Sequence, residues 1–419
     1  MNSPFKPENL SKGARVCAPA RRKQRARKAL VLADNIGVFL AIARSLGRAG
    51  IAVDVATSEL GYAGLSSRFV AQVHRMPSYL SDLDGWLSAL ARLVENEGYS
   101  LIIPTSDASL DVLSRAVDHV ARDLLALPGD EALRIFTDKR ATRSLATSLG
   151  IPIAHGESAD SLTTWKREHQ ARFPLVVKPA ASYAHGSGSA KAPVSIVRDE
   201  AELDRCAEIL GERAVIVEDY LPGTGIGVSV LARHGSIELV WQHRRLASTH
   251  ETGRSSVRLG EPPSPALLED ATRMAGATGL NGVAMFEFRM DERTGNYILV
   301  EVNPRFWGSL PLAVAAGYDF PLAVWAMHTG EPFKGPTPSP LRGARQINLD
   351  GEIDRLSETG QGFIGQLRRA ARTLLLCAAA IVRPEMFDSW ASDDPAPHRD
   401  EIRRAFSRLV GAAGRRLRS

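Results

Sequence analysis

Two apolar runs in the second half of the chain each contain a glutamate. The runs Val283–Phe288 and Tyr297–Val302 are joined by the polar stretch Asp291–Asn296, which predicts a β-hairpin with a longer loop. Glu287 lies inside the first run and Glu301 inside the second. Because burying an ionised group costs several kcal/mol unless something compensates it, two carboxylates in such strands require an explanation.

Polar side chains continue along one face of the second strand. Asn303 and Arg305 follow Glu301 at the two-residue spacing that keeps side chains on one side of a strand. Oxygen ligands from two adjacent strands are what Mg²⁺ needs, and the ion is usually held by one or two carboxylates together with substrate phosphates. The pattern by itself leaves two interpretations open, a metal site and a surface hairpin whose charges are solvated.

Length and cysteine usage limit the class of protein. At 419 residues the chain exceeds the size at which a single core stops growing, so two or three domains are expected. Its three cysteines, Cys17, Cys206 and Cys377, are far apart, which argues for a reducing, cytoplasmic location and against structural zinc. The apolar run Thr373–Val382 is about half of a membrane span, so no transmembrane segment is expected.

The first 28 residues are basic. Eight basic residues and no acidic ones lie between Lys12 and Lys28, which predicts a disordered basic leader over residues 1–28. A transit peptide or a nucleic-acid-binding arm remains an alternative for this segment. For the protein as a whole no nucleic-acid partner is expected, since the basic excess lies at the termini rather than in a stripe with aromatics.

Residues 29–130 have the pattern of a Rossmann-like domain. A strand at Ala29–Ala33, a helix at Gly37–Arg48 and a strand at Ile51–Ala56 form a βαβ unit, which implies a parallel crossover. The loop Asp34–Gly37 lacks the full Gly-x-Gly-x-x-Gly fingerprint, so a dinucleotide site of that kind is not expected.

A second strand and helix follow in this domain, at Leu101–Pro104 and Ser106–Val120. Thr105, Ser106 and Asp107 lie between them, at the carboxyl end of a parallel strand, where ligands tend to collect. The favoured alternative is that Ser106 or Asp107 caps the helix.

The middle of the chain carries lysines and a flexible loop. Asp138-Lys139-Arg140 precedes a helix through Leu149, and Phe173–Lys178 is a predicted strand. The stretch Ala180–Lys191 is rich in Gly and Ser, so its backbone N–H groups could approach phosphate, or it could be only a flexible connection.

Two further segments suggest a nucleotide site. A strand at Ala214–Val217 leads into Glu218–Leu221, whose backbone could pair with an adenine edge. The segment Val240–Ser256 contains histidines and arginines, and the guanidinium groups of arginines match phosphate or carboxylate with two hydrogen bonds. Exposed arginines on an edge strand would give the same pattern. The histidines and arginines are His243, Arg244, Arg245, His250 and Arg254.

Taken in order, these segments resemble the ATP-grasp superfamily, specifically the carbamoyl-phosphate-synthase-like carboxylate–amine ligases. The resemblance is carried by Asp138-Lys139, FPLVVKPA, the Gly/Ser-rich loop, VIVEDYLPG, a glutamate in a strand and VEVNPR. It implies an α/β and α+β protein, in which a Rossmann-like parallel-sheet domain precedes a two-lobed ATP-grasp domain over residues 131–330.

The resemblance also implies roles for residues. ATP would be bound by Lys139, Lys178, Gly186, Gly188 and the hinge Glu218, Asp219, Tyr220 and Leu221. Mg²⁺, or Mn²⁺, would be held by Glu287, Glu301 and Asn303, and the catalytic residues would be Arg305, Lys178 and Arg245. One departure concerns Gly225-Ile226-Gly227, which stands where the family often has an acid for the ribose hydroxyls. The ribose contact is therefore not assigned.

The resemblance implies that the protein joins a small-molecule carboxylic acid to an amine at the expense of ATP. A homodimer is compatible with the resemblance. The alternative is a nucleotide-binding regulatory or scaffold protein that keeps the fold without turnover. Phe306 and Trp307 either stack on a substrate or, as favoured here, fill core.

Residues 331–419 are predicted to be a linker and C-terminal helices. The proline-rich stretch Glu331–Leu341 is typical of a linker. Helices are predicted at Gly362–Val382 and Glu401–Leu417, and packing of both onto the core is favoured over contact with a membrane or a partner.

Overall fold

The computed structural model describes residues 27–61, 63–180, 194–248, 255–337, 345–358 and 362–416. The predicted basic leader lies outside the described residues apart from its last two positions. Gly186 and Gly188 of the Gly/Ser-rich loop, and His250 and Arg254, also lie outside them.

The N-terminal region forms a four-stranded sheet in the order β3-β2-β1-β4, in which all three strand pairs are parallel. The predicted βαβ unit is confirmed, and the central strand is buried on both faces, as expected for a parallel sheet. The elements are β1 (Lys28–Leu32), α1 (Ile36–Arg48), β2 (Ala52–Thr57), β3 (Gln72–Arg75), α2 (Leu83–Glu97), β4 (Leu101–Ile103) and α3 (Asp107–Ser114).

A second, antiparallel sheet forms a small lobe, with strand order β5-β8-β6-β7. One face packs through Leu175, Val177 and Val217 against two helices, and the other face carries Lys178 and Glu218. The elements of this part are α4 (Asp130–Thr137), α5 (Lys139–Ser148), β5 (Gly156–Ala159), α6 (Leu162–Glu168), β6 (Leu175–Pro179), β7 (Ser195–Val197), α7 (Glu200–Leu210) and β8 (Val215–Asp219).

A six-stranded sheet forms the larger lobe, in the order β13-β12-β9-β10-β11-β14. Its elements are β9 (Thr224–Arg233), β10 (Ser236–Ser248), β11 (Ser255–Glu261), α8 (Pro265–Thr278), β12 (Gly282–Met290), β13 (Tyr297–Asn303), α9 (Leu310–Ala315), α10 (Phe320–Thr329) and β14 (Arg345–Ile347). The strand β10 is paired on both sides, so the edge-strand interpretation of its arginines was wrong.

The predicted hairpin is confirmed as β12 and β13. Glu287 pairs with Glu301, whereas the next residue, Phe288, pairs with Leu299, so Val300 is an extra residue in a β-bulge. Because of this bulge, Leu299 and Val302 both enter the same core although they are three positions apart.

The large sheet buries apolar side chains on both faces. One face packs on α8 through residues such as Val228 and Phe286. On the other face Trp241 and Met285 join a core that includes α1, α9 and α10. Phe306 and Trp307 are buried in that core, as favoured from the sequence, so neither is available to stack on a substrate.

The C-terminal part packs against the N-terminal region and the large sheet. The elements are α11 (Leu349–Glu358), α12 (Gly362–Val382) and α13 (Ala396–Arg416), which confirms both predicted helices, with α13 beginning five residues before its predicted start. The strand β14 was not predicted, and it adds to the large sheet beside β11. Within the described ranges, no helix combines the length and apolarity needed to cross a bilayer.

Candidate functional site

Two carboxylates and an amide meet on β12 and β13. Glu287 and Glu301 are direct cross-strand partners, and the Asn303 Nδ2 donates to Glu301 Oε1 at 3.1 Å. Among the described residues, no three His, Cys, Asp or Glu side chains form a metal cluster. Two carboxylates with one amide oxygen nevertheless fit Mg²⁺, because this ion takes few protein ligands and completes its shell with phosphate oxygens and water.

Arg245 reaches this pair from β10, two strands away. Its Nη2 lies 2.5 Å from Glu287 Oε2, and both side chains are largely buried. The space for this approach comes from Gly225 on β9, where an added Cβ would lie 2.8 Å from Arg245 Cδ. Gly225 belongs to the segment that stands where the family often has an acid for the ribose hydroxyls. Because Gly225 has no side chain, Arg245 can lie across β9.

His243 lies beside Arg245 on the same face and is fully enclosed. Its ring stacks on Trp241 with centroids 5.6 Å apart, and Ser309 Oγ is 3.2 Å from its Nδ1. Burial, followed by the positive charges of Arg245 and Arg258, holds the pKa of His243 well below its usual value. The imidazole is therefore neutral near pH 7 and supports its neighbours rather than binding an anion.

Arg244 points to a different environment from His243 and Arg245. Its Nε lies 3.0 Å from Glu261, and its Nη1 lies 2.8 Å from Glu292. The alternation of a strand explains the difference, since adjacent side chains point to opposite faces. Arg244 is therefore not brought to the candidate site.

Lys178 anchors the small lobe to the large sheet. Its Nζ lies 2.6 Å from Glu218 Oε1 and 3.4 Å from the carbonyl oxygen of Val300 in the bulge. The other oxygen of Glu218 accepts from Arg143 Nη1 at 2.6 Å. Arg143 was not identified from the sequence, because its position on α5 gave no local sign that it would meet β8.

Lys139 is the first residue of α5, and the side chain of Asp138 caps this helix. The ammonium of Lys139 lies 3.5 Å from the carbonyl oxygen of Pro179, and the residue is buried. Both predicted phosphate-binding lysines are thus held at the junction of α5, β6 and β13.

The hinge that follows β8 is tied to the large sheet by Arg289. The Arg289 Nε donates to the carbonyl oxygen of Leu221 at 2.5 Å, and its guanidinium lies 5.0 Å from the Tyr220 ring centroid. The Leu221 N–H has no hydrogen-bond partner among the described residues. Arg289 follows Glu287 by two residues, and this spacing is the signal that could have identified it.

Asp219 is held by its backbone rather than by its side chain. Its backbone N–H donates to the carbonyl oxygen of His155 at 2.8 Å, and its carboxylate is mostly exposed. The backbone N–H of Tyr220 likewise has a partner, the carbonyl oxygen of Pro174 at 3.4 Å.

Arg305 connects the hairpin to the N-terminal domain. Its Nε bonds to the carboxylate of Asp107, and its Nη2 donates to Asn303 Oδ1 at 2.8 Å. Ser106 caps α3 in a capping box with Ser109, so the favoured capping interpretation is confirmed. Asp107, the next residue, positions the arginine.

Comparison with known proteins places these features in a family context. The family described as "ATP-grasp in the biosynthetic pathway with Ter operon" matches residues 212–349. The chain is 26% identical over 266 residues to the carbamoyl phosphate synthase large chain, N-terminal section, of Methanopyrus kandleri, which covers 57% of this chain and 45% of that protein. It is 28% identical over 281 residues to the formate-dependent phosphoribosylglycinamide formyltransferase of Anaeromyxobacter dehalogenans, which covers 64% of this chain and 67% of that protein. The matched region thus spans less than half of the first relative.

Solved structures share the fold. The L-amino acid ligase from Bacillus licheniformis aligns with a TM-score of 0.59 at 17% identity, over 78% of this chain and 80% of that one. The biotin carboxylase domain of 2-oxoglutarate carboxylase from Hydrogenobacter thermophilus, solved with MgADP and bicarbonate, aligns with a TM-score of 0.59 at 18% identity, over 75% and 72%.

Proposed function

We propose that this chain, an ATP-grasp protein by its family match and its fold, is an ATP- and Mg²⁺-dependent ligase that joins a carboxylic acid to an amine. The observation that carries the proposal is the convergence of Glu287, Glu301 and Asn303 with Arg245 and Arg305 at one end of the large sheet. A protein that only binds a nucleotide gains little from so many buried charges, because each costs free energy to desolvate.

Glu287, Glu301 and Asn303 would hold Mg²⁺ or Mn²⁺, and the ion would neutralise phosphate oxygens when bound. The adenine would be received at the hinge, where Leu221 offers its N–H group and Arg289 holds the Leu221 carbonyl in place. The biotin carboxylase domain from Hydrogenobacter thermophilus shares the fold and was solved with MgADP, which supports the use of ATP and Mg²⁺.

The reaction would proceed through an acyl phosphate. A carboxylate oxygen attacks the γ-phosphorus, an O–P bond forms, and the bond to the ADP oxygen breaks. Because both reactants are anions, catalysis depends on positioning and on cations such as Lys139, Lys178 and Arg305. The amine then attacks the acyl carbon, inorganic phosphate leaves, and the amine gives up a proton.

Hydroxylamine trapping tests this chemistry. With ATP, Mg²⁺ and a panel of carboxylic acids that includes amino acids, we expect hydroxylamine to yield an acyl hydroxamate together with ADP. The Glu301→Gln variant should lower ADP release by roughly 100-fold, as is usual when a group that stabilises transition-state charge is lost, while its melting temperature stays close to wild type.

Glu292→Gln is the matched control, because Glu292 is exposed and lies outside the site. Its activity should equal that of the wild type. Wild-type ATP turnover in Glu301→Gln at ordinary Mg²⁺ concentrations would show that the metal assignment is wrong. Nucleotide binding without any hydroxamate or ADP across the panel would instead favour a regulatory or scaffold protein.

A further inference from the structure

A cavity of about 890 Å³ opens at the edge of β13. The N-terminal domain forms one wall through α3 and the 3-10 helix Arg115–Asp118, and α4 and α5 form the opposite wall. Its volume lies within the range of pockets that enclose organic ligands. No residue of the hinge Glu218–Leu221 lines it, and Arg143, which does, separates the cavity from Glu218.

One end of the cavity consists of groups from the candidate site. Lys139, Glu301 and Asn303 all line it. A ligand in the cavity would therefore meet the same lysine and metal-binding groups that the ATP phosphates would meet from the other side. This is the geometry that a substrate needs if its carboxylate is to receive the γ-phosphoryl group.

The remaining walls combine an apolar part with charged side chains. Leu110 and Val117 come from the N-terminal domain, and Leu133, Phe136 and Ile153 come from the opposite side. Leu110 and Phe136 are already nearly fully buried, so the free energy gained when an apolar group covers this wall comes mainly from Val117 and Leu133, which are more exposed.

The arginines at the cavity walls already have acidic or carbonyl partners. Arg143 is bonded to Glu218, Arg134 to Glu131, and Arg122 to the carbonyl oxygen of Pro128. The aspartates of the lining also have partners, namely Arg305 for Asp107, Arg115 for Asp111, Arg122 for Asp130 and the backbone N–H of Arg140 for Asp138. A ligand body in the cavity would consequently meet hydrocarbon together with charges that already have partners.

We propose that this cavity binds the apolar body of the carboxylic acid substrate, with the carboxylate directed at Lys139. This inference rests on the proposed ligase reaction, and it names the acceptor acid as one with an apolar side chain rather than a small or highly polar acid. Burial of the body in the cavity positions the carboxylate and excludes water from the acyl phosphate.

Titration calorimetry with two carboxylates tests the inference on the full chain in the presence of MgADP. The probes are 3-phenylpropionate, which has an apolar body, and acetate, which lacks one. We expect 3-phenylpropionate to bind at least about tenfold more tightly than acetate, as is usual for a hydrophobic pocket.

Two substitutions should fill the cavity. Val117→Trp acts at an exposed position, which limits the risk to folding, and Leu133→Trp acts at a partly buried one. Each should weaken 3-phenylpropionate binding by about tenfold. Ile209→Trp is the control, since Ile209 is exposed on α7 and does not line the cavity, and it should bind as the wild type does.

The outcomes separate the two proposals. Equal affinities for the two probes, or unchanged binding in both filled variants, would overturn the cavity assignment even if acid-dependent ADP release persists. Selective binding that both variants weaken would support the cavity. If that binding occurs without any acid-dependent ADP release or hydroxamate, the cavity assignment stands and the ligase reaction is wrong.

Discussion

Gly227 is the residue on which the arrangement of β10 depends. It lies opposite His243 on one side and Glu287 on the other, at the centre of the polar end of the sheet. An added Cβ would lie 2.2 Å from His243 Cε1, far inside van der Waals contact. The ring cannot move aside easily, because it is buried and stacked on Trp241.

Gly227→Ala should therefore displace His243, and with it Arg245, at a cost of about 1–3 kcal/mol in stability for overpacking. ADP release should fall, and the melting temperature should drop. The control is Gly276→Ala on α8, where an added Cβ would have no atom within 4 Å and should lower neither turnover nor stability. A Gly227→Ala protein with the stability and turnover of the wild type would contradict the proposed steric role.

At the scale of single elements, α13 carries a buried acid that is satisfied only when protonated. The Glu401 carboxyl contacts Ser389 Oγ, which lies 2.8 Å from His398 Nδ1. The His398 Nε2 lies 2.9 Å from the carbonyl oxygen of Ala380 and so carries the hydrogen. Ser389 must then donate to His398, which leaves a protonated Glu401 to donate to Ser389.

Burial, and then repulsion from Asp388 and Asp350, raise the pKa of Glu401 to about 8. The folded state holds this proton between the unfolded value of 4.5 and about 8, whereas the unfolded chain has lost it. Stability contributed by this group is therefore present below about pH 4.5 and is lost as the pH rises through about 8.

Glu401→Gln should remove this dependence, since the amide can donate to Ser389 at any pH. We expect its melting temperature at pH 8.5 to exceed that of the wild type by a few degrees, with a smaller difference at pH 5. Thermal unfolding across pH 5–9 measures this. The exposed Glu385→Gln provides the control, and a difference that is the same at both ends of the range would refute the assignment.

At the scale of the whole molecule, the segment 388–394 joins the N-terminal domain to the large sheet. The Asp394 carboxylate is buried and accepts from Arg44 Nε at 2.8 Å and from Ser67 Oγ at 2.7 Å. Asp388 lies 3.2 Å from Arg258 Nη1 on β11. The positive charge of Arg258 also lowers the pKa of His243. The ion pair with Arg258 therefore connects Asp388 of the C-terminal part to a residue beside the candidate site.

Asp394→Asn should destabilise the protein by about 3–5 kcal/mol, because it leaves the buried Arg44 without its counter-charge. The neighbouring Asp393→Asn removes an exposed pair with Arg48 and should cost less than about 1 kcal/mol. Differential scanning calorimetry of both variants compares the two effects. Equal shifts in melting temperature would show that the buried pair does not hold the C-terminal part in place.

Much of the fold followed from local patterns. The βαβ unit, the helix cap at Ser106 and the hairpin with Glu287 all depend on residues close in sequence, which spacing and capping chemistry can identify. The hairpin bulge and β14 did not follow, because a bulge changes register by a single residue and β14 has only three residues.

The sequence by itself determined the βαβ unit, the hairpin with its two carboxylates and the prediction of a metal site there. Tertiary structure alone decided the partners, since Arg305 meets Asp107 across 198 positions and Arg289 meets the hinge across 68. The physical reason is that side-chain spacing within an element depends on backbone geometry, whereas contacts between distant segments depend on how whole elements pack.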